Sequence, residues 1–187
     1  MAKNYFNVSA EWVLDPLFLC DIKHFKSFAK KGRPLLHKGL GCYILDTTEH
    51  DGLKIVDDVS KTLNLKSCII SDYQNPSNRK NNITVEDWLA TYFSSEFIIT
   101  DSFHGTCMAI ILQKPFIVVA NVRRGLTRFE SILELAGLRE RLVFNLDEYN
   151  NKKQLLLSKT IDWKKVYDNM NEKISYSKEI LKEMINH

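Results

Sequence analysis

The residues best suited to chemistry are gathered in Asp101-Ser102-Phe103-His104-Gly105-Thr106, with a second set in Asn121 to Arg128. A histidine exchanges protons near neutral pH, so it can act as acid, base or phosphate-binding cation. An apolar run, Phe97 to Thr100, precedes this corner, and an apolar segment, Cys107 to Leu112, follows it. That pattern predicts a buried parallel strand, a tight turn and a buried helix, with His104 and Gly105 where the turn becomes helix. A helix start offers free backbone N–H groups and partial positive charge, which suit a phosphate or carboxylate. Gly105 would admit such an anion close to the backbone, beside Ser102 and Thr106. The plainer reading of the same spacing is a helix capped by Asp101 or Ser102 with an ordinary surface histidine, and spacing alone does not decide against it.

The second set follows another apolar run, Phe116 to Val119. Arg123, Arg124 and Arg128 share a glycine-containing loop that opens with Asn121. An arginine fork matches carboxylate and phosphate oxygens, so the loop reads as an anion clamp or as a solvated basic loop. Asp57 and Asp58 are adjacent acids, but they fall off the apolar face of their helix and read as solvated, not as metal ligands. Ser71 to Asn82 is a long polar loop after a strand, a position that serves binding loops and plain connections alike.

These residues need a scaffold, and 187 residues are enough for one domain with a real core. A net charge of +3, with the basic residues spread along the chain, gives no reason to expect a nucleic-acid partner. No apolar run approaches the roughly 20 residues of a membrane helix, and the first residues lack the apolar core of a secretion signal. Cys20, Cys42, Cys68 and Cys107 form no C-x-x-C pair, so neither a zinc site nor a redox motif is expected. Reduced thiols, a cytoplasmic location and no metal fit best.

Strand segments are expected at Cys42–Leu45, Ser67–Ile70, Phe97–Thr100, Phe116–Val119 and Leu142–Phe144. Helices are expected between them: Leu53 to Leu63, one opened by the capping box Thr84-Val85-Glu86-Asp87, and one opened by a box over Thr127 to Glu130 and stopped at Gly137. Asp21 to Lys31 reads as a short amphipathic helix, and Asp162 as the cap of a long C-terminal one. Alternating strands and helices with uniformly apolar strands predict an α/β, Rossmann-like doubly wound parallel sheet. Ligands in such sheets bind beyond the carboxyl ends of the strands. Asp46, Ser71, Asp101 to Gly105 and Asn121 to Arg128 all follow strand ends, which makes that edge the expected site. The absence of G-x-G-x-x-G after the first strand disfavours a dinucleotide, and no P-loop sequence is present.

With these residues in view, the sequence resembles the C-terminal half of the polysaccharide pyruvyl transferase family. The likeness is carried by Trp12 to Leu19, by Ile99-Thr100-Asp101-Ser102-Phe103-His104-Gly105-Thr106, by Lys114 through Asn121, by Arg128-Phe129, by Leu138 to Val143 and by the Asp162-Trp163 helix. The resemblance implies the C-terminal domain of a GT-B architecture. It implies transfer of pyruvate from phosphoenolpyruvate to two hydroxyls of a saccharide acceptor, as a ketal, in exopolysaccharide biosynthesis. The family histidine maps to His104. An arginine stands two residues before it in the family, where this chain has Ser102, so Arg123, Arg124 and Arg128 are the candidates to take that part. No cofactor is implied beyond the donor substrate.

The expected organisation is a lead-in segment, 1–40, from an absent N-terminal domain; a donor-binding domain, 41–150; and a C-terminal helix, 151–187. An enzyme so divided would be incomplete alone and could self-associate through its inter-domain face or C-terminal helix. Two other readings fit the same architecture: a glycosyltransferase domain using a sugar nucleotide, and a non-catalytic assembly module.

Overall fold

The computed structural model describes residues 10–47, 51–70, 83–158 and 160–186. Five strands form one parallel sheet: β1 (Leu40–Tyr43), β2 (Ser67–Ile69), β3 (Phe97–Thr100), β4 (Phe116–Val119) and β5 (Leu142–Val143). Their order is β2-β1-β3-β4-β5, with Tyr43 opposite Thr100 at the ends of β1 and β3. The order reverses between β1 and β3, and that reversal opens the crevice of a doubly wound sheet.

Seven α-helices cover the sheet among the described residues: α1 (Ile22–Ala29), α2 (Gly52–Leu63), α3 (Val85–Ser94), α4 (Phe103–Ile111), α5 (Leu126–Ala136), α6 (Leu146–Ser158) and α7 (Trp163–Asn186). Side chains alternate across a strand, so each strand feeds two cores. Ile98, Phe116 and Val118 face α3, α4, α5 and α7 through Tyr92, Met108, Phe129, Leu133 and Met170. Ile99, Ile117 and Val119 face α2 and α6 through Ile55, Val59, Tyr149 and Leu156. Burial of each such side chain stabilises the fold by about 1.5–3 kcal/mol.

The element ends depart from expectation where backbone groups find other partners. β1 stops at Tyr43, before the expected Leu45, because the Leu45 and Asp46 amides turn to a side chain described below. β5 stops at Val143, because the Phe144 N–H bonds the Glu148 carboxylate. The Thr84–Asp87 capping box forms as expected, whereas the box over Thr127 to Glu130 does not. Gly125, at φ +84°, turns the chain into α5 early, so Thr127 lies inside the first turn. Gly137, at φ +69°, ends α5 in the left-handed region as expected.

Helix α6 runs through residue 150, and the C-terminal helix expected over 151–187 is the second half of α6 followed by α7. It also gives Asp58 a structural role, since Tyr149 Oη donates to Asp58 at 2.6 Å and Lys153 pairs with it at 2.7 Å. The loop Ser71 to Asn82, with Ser71 itself, lies outside the described residues. Asp162 caps α7, accepting from the Lys165 N–H at 3.1 Å. The first half of α7 packs on the domain through Val166 and Met170, while Leu181, Met184 and Ile185 are exposed. Further along α7, Ser177 Oγ accepts the Leu14 N–H at 3.0 Å, across 163 positions of sequence. No described helix is long and apolar enough to cross a membrane.

All four cysteines are free. Burial raises the Cys42 thiol to about 12 and pushes Cys107 well above its ordinary value, so both stay protonated at neutral pH, while Cys20 is exposed. A thiol reagent at pH 8 is therefore expected to label Cys20 at once, half-buried Cys68 slowly, and Cys42 and Cys107 only in denaturant. Labelling followed by peptide mapping checks this.

Candidate functional site

Where β1 and β3 end, the chain is fastened to itself by one carboxylate. Asp101 is fully buried. Its Oδ1 accepts the Leu45 N–H at 2.7 Å, and its Oδ2 accepts the Asp46 N–H at 2.9 Å and the Asn121 side-chain amide at 3.4 Å. The same Asn121 amide donates to Asp46 Oδ2 at 2.6 Å. The loops after β1, β3 and β4 are thus joined at the switch point. Of the two caps expected for α4, Asp101 does not serve, because its oxygens accept the Leu45 and Asp46 amides instead.

The capping falls to Ser102, whose Oγ accepts the Gly105 N–H at 3.3 Å and whose carbonyl accepts the Thr106 N–H at 2.9 Å. Gly105 packs closely against its neighbours. A Cβ there would collide with Thr100 Oγ1 and stand 2.8 Å from Tyr92 Oη, so the glycine lets α4 lie against β3 and α3. Thr106 is buried, its hydroxyl donating to the Ser102 carbonyl at 3.0 Å. Asn121 is almost fully buried and ties loops together. Gly105, Thr106 and Asn121, expected among the anion-binding groups, all help to hold the strand edge together, and Asn121 also lines a cleft described below.

His104 is placed differently. The first turn of α4 carries it outward, with its side chain 63 % exposed. Its Nε2 lies 3.3 Å from Asp15 Oδ2, and that carboxylate is only 12 % exposed. Asp15 Oδ1 also accepts the Leu17 N–H at 3.0 Å, capping a short 3-10 helix over Pro16–Leu19. Sequence reasoning did not pair Asp15 with His104. The available signal was Asp15-Pro16, because proline holds Asp15 extended (φ −54°, ψ 136°) and frees its carboxylate.

Ser102, Phe103, His104, Leu45, Arg123 and Arg128 line a cleft of about 450 Å³. Arg128 extends from α5 with its guanidinium 5.0 Å from the centre of the Phe103 ring. Arg123 is exposed, on a 3-10 turn over Val122–Arg124, and it also lines a neighbouring cleft of about 780 Å³ with Lys54, Asn121 and Asn145. The Arg124 side chain lies outside the description. Of the expected site residues, the structure gathers Ser102, His104, Arg123 and Arg128 around one opening. That opening carries imidazole and guanidinium groups, with a carboxylate behind the histidine, and suits a small anion that needs a proton.

Removing the Asp101 carboxylate leaves two buried amides without an acceptor. Asp101→Ala is expected to lower stability by about 3 kcal/mol, and Asn121→Ala by about 1 kcal/mol. The double variant should lose less than the sum, because the two share one network. Urea unfolding of the three variants measures this.

A family model described as polysaccharide pyruvyl transferase matches residues 1–122, well over half of the chain. The match includes Asp15, the Asp101–Thr106 corner and Asn121, and it ends just before Arg123. No curated protein and no solved structure matches the chain.

Proposed function

The chain belongs to the polysaccharide pyruvyl transferase family, and we propose that it binds phosphoenolpyruvate in the His104 cleft and transfers the pyruvyl group to two saccharide hydroxyls as a ketal. The observation that carries this reading is the placement of His104, exposed at the start of α4, backed by Asp15, and facing a cleft lined by Arg123 and Arg128.

The chemistry assigns each group a part. Arg123 and Arg128 hold the donor's phosphate and carboxylate, taking the place of the arginine that the family carries where this chain has Ser102. One acceptor hydroxyl adds to C2 of the donor as C3 takes a proton and becomes a methyl group. Phosphate then leaves C2, and the second hydroxyl closes the ketal. Of the two hydroxyl protons, one is balanced by the methyl carbon and one leaves with phosphate. His104 delivers the proton to C3 as general acid. Asp15 is a positioning residue that holds the imidazole over the cleft, its Oδ2 3.3 Å from His104 Nε2. The arginines stabilise the departing phosphate.

The test is a titration of the chain with phosphoenolpyruvate, following amide signals and the His104 ring by NMR, with UDP and GDP in parallel. Selective, saturable shifts for phosphoenolpyruvate at His104, Arg123 and Arg128 are expected, and Arg128→Ala should remove them. Preference for a nucleotide would overturn the reading in favour of sugar-nucleotide chemistry. In a transfer assay that follows phosphate release, His104→Ala is expected to lose at least about 100-fold. Asp15→Asn keeps the Leu17 cap through its amide oxygen, so it should fold and bind donor, yet transfer at least about tenfold more slowly.

A further inference from the structure

A second cleft, of about 430 Å³, opens on the other side of the Asp15–His104 pair, between the segment before Pro16 and helix α5. Trp12, Asp15, Phe103, Thr127, Arg128 and Ser131 line it, and Phe103 and Arg128 also line the His104 cleft. The two openings therefore share one aromatic ring and one guanidinium in their walls. Their linings differ in kind. The His104 cleft gathers cations, whereas this one brings together an indole, two hydroxyls and a carboxylate with the apolar side chains of Val13, Leu14 and Ile132.

Trp12 has no core role to explain it, for it is 52 % exposed. It is nonetheless held in place. Lys173 of α7 sets its ammonium 4.5 Å from the Trp12 ring centre and 4.3 Å from that of Tyr176. A cation over one face of an indole fixes the ring while the remaining surface stays open. A flat, immobilised indole opposite hydroxyl side chains matches a pyranose ring, which presents an apolar C–H face and a rim of hydroxyls. An anion would find one arginine here and an opposing carboxylate, so the donor fits this cleft poorly. The volume falls within the range of small-molecule sites.

We propose that this cleft is the acceptor subsite, with Trp12 as the stacking platform for a neutral pyranose ring and Thr127 and Ser131 as partners for its hydroxyls. The proposal rests on the pyruvyl-transfer reading, since adjacency to His104 is what makes a sugar bound here an acceptor. Hydroxyls at the Phe103–Arg128 wall then point at the carbon that receives them.

The experiment is a ¹H–¹⁵N NMR titration of the full chain with the methyl pyranosides of glucose, galactose and mannose, in wild type, Trp12→Ala, Trp12→Phe and His104→Ala. At least one glycoside is expected to move the Trp12 indole signal and the Thr127 and Ser131 amides saturably. The amide response should disappear in Trp12→Ala and persist in Trp12→Phe. It should also persist in His104→Ala, where the phosphoenolpyruvate response at the ring position is lost. Thr127→Val, on the exposed side of α5, supplies a second variant with a weakened response should Trp12→Ala not fold. No saturable movement with any of the three glycosides, or movement unchanged by Trp12→Ala, overturns the subsite. A chain that binds a glycoside but not phosphoenolpyruvate supports the subsite and refutes the donor reading. One that binds only phosphoenolpyruvate does the reverse.

Discussion

The site depends on one buried carboxylate. Asp101 takes the Leu45 and Asp46 amides and the Asn121 side chain, and in doing so ends β1, fixes the start of α4 and anchors the loop beyond β4. A buried carboxylate survives only with its acceptor capacity filled, so this arrangement admits little variation. His104 is displaced outward from this junction, to the first turn of α4, where it stands at the surface.

That displacement explains why the cleft is assembled from elements distant in sequence. Helix α4 is buried from Gly105 to Ile111, and it can lie so close to β3 because residue 105 has no side chain. Its rigid start presents His104 at a fixed height above the sheet edge. The remaining walls come from α5, from the turn after β4, and from the segment before Pro16. The histidine thus has a stiff mount and adjustable surroundings, a sensible division when the reacting group must be precise and the substrate groups are several.

Much of this was legible in the sequence because strong local patterns carried it. The strands β3 and β4 are uninterrupted apolar runs, and their bounds matched expectation. The Thr84–Asp87 box and Gly137 mark helix ends through hydrogen bonds and a backbone angle that few residues supply. What escaped was tertiary. Helix α6 has no clean apolar stripe, since Tyr149 and Leu156 alone among its described side chains are buried, and it is held partly by Asp58 and its partners. The packing of Gly105 and Thr106 against their neighbours was not legible, because type and spacing do not reveal which way a helix turns its faces. Asp15 stands 89 positions before His104, and only the docking of the Pro16–Leu19 turn against α4 brings them together.

The hydrogen bond from Leu14 to Ser177 has a consequence for the order of folding. Helix α7 secures the segment bearing Trp12 and Asp15 through Ser177, across 163 positions of sequence, and through Lys173 over the Trp12 ring. Contacts between segments so far apart close late, because the entropy of the intervening loop is lost before they reward it. The sheet strands pair over shorter separations. A folding chain therefore carries a formed sheet and the start of α4 before Asp15 is fixed beside His104.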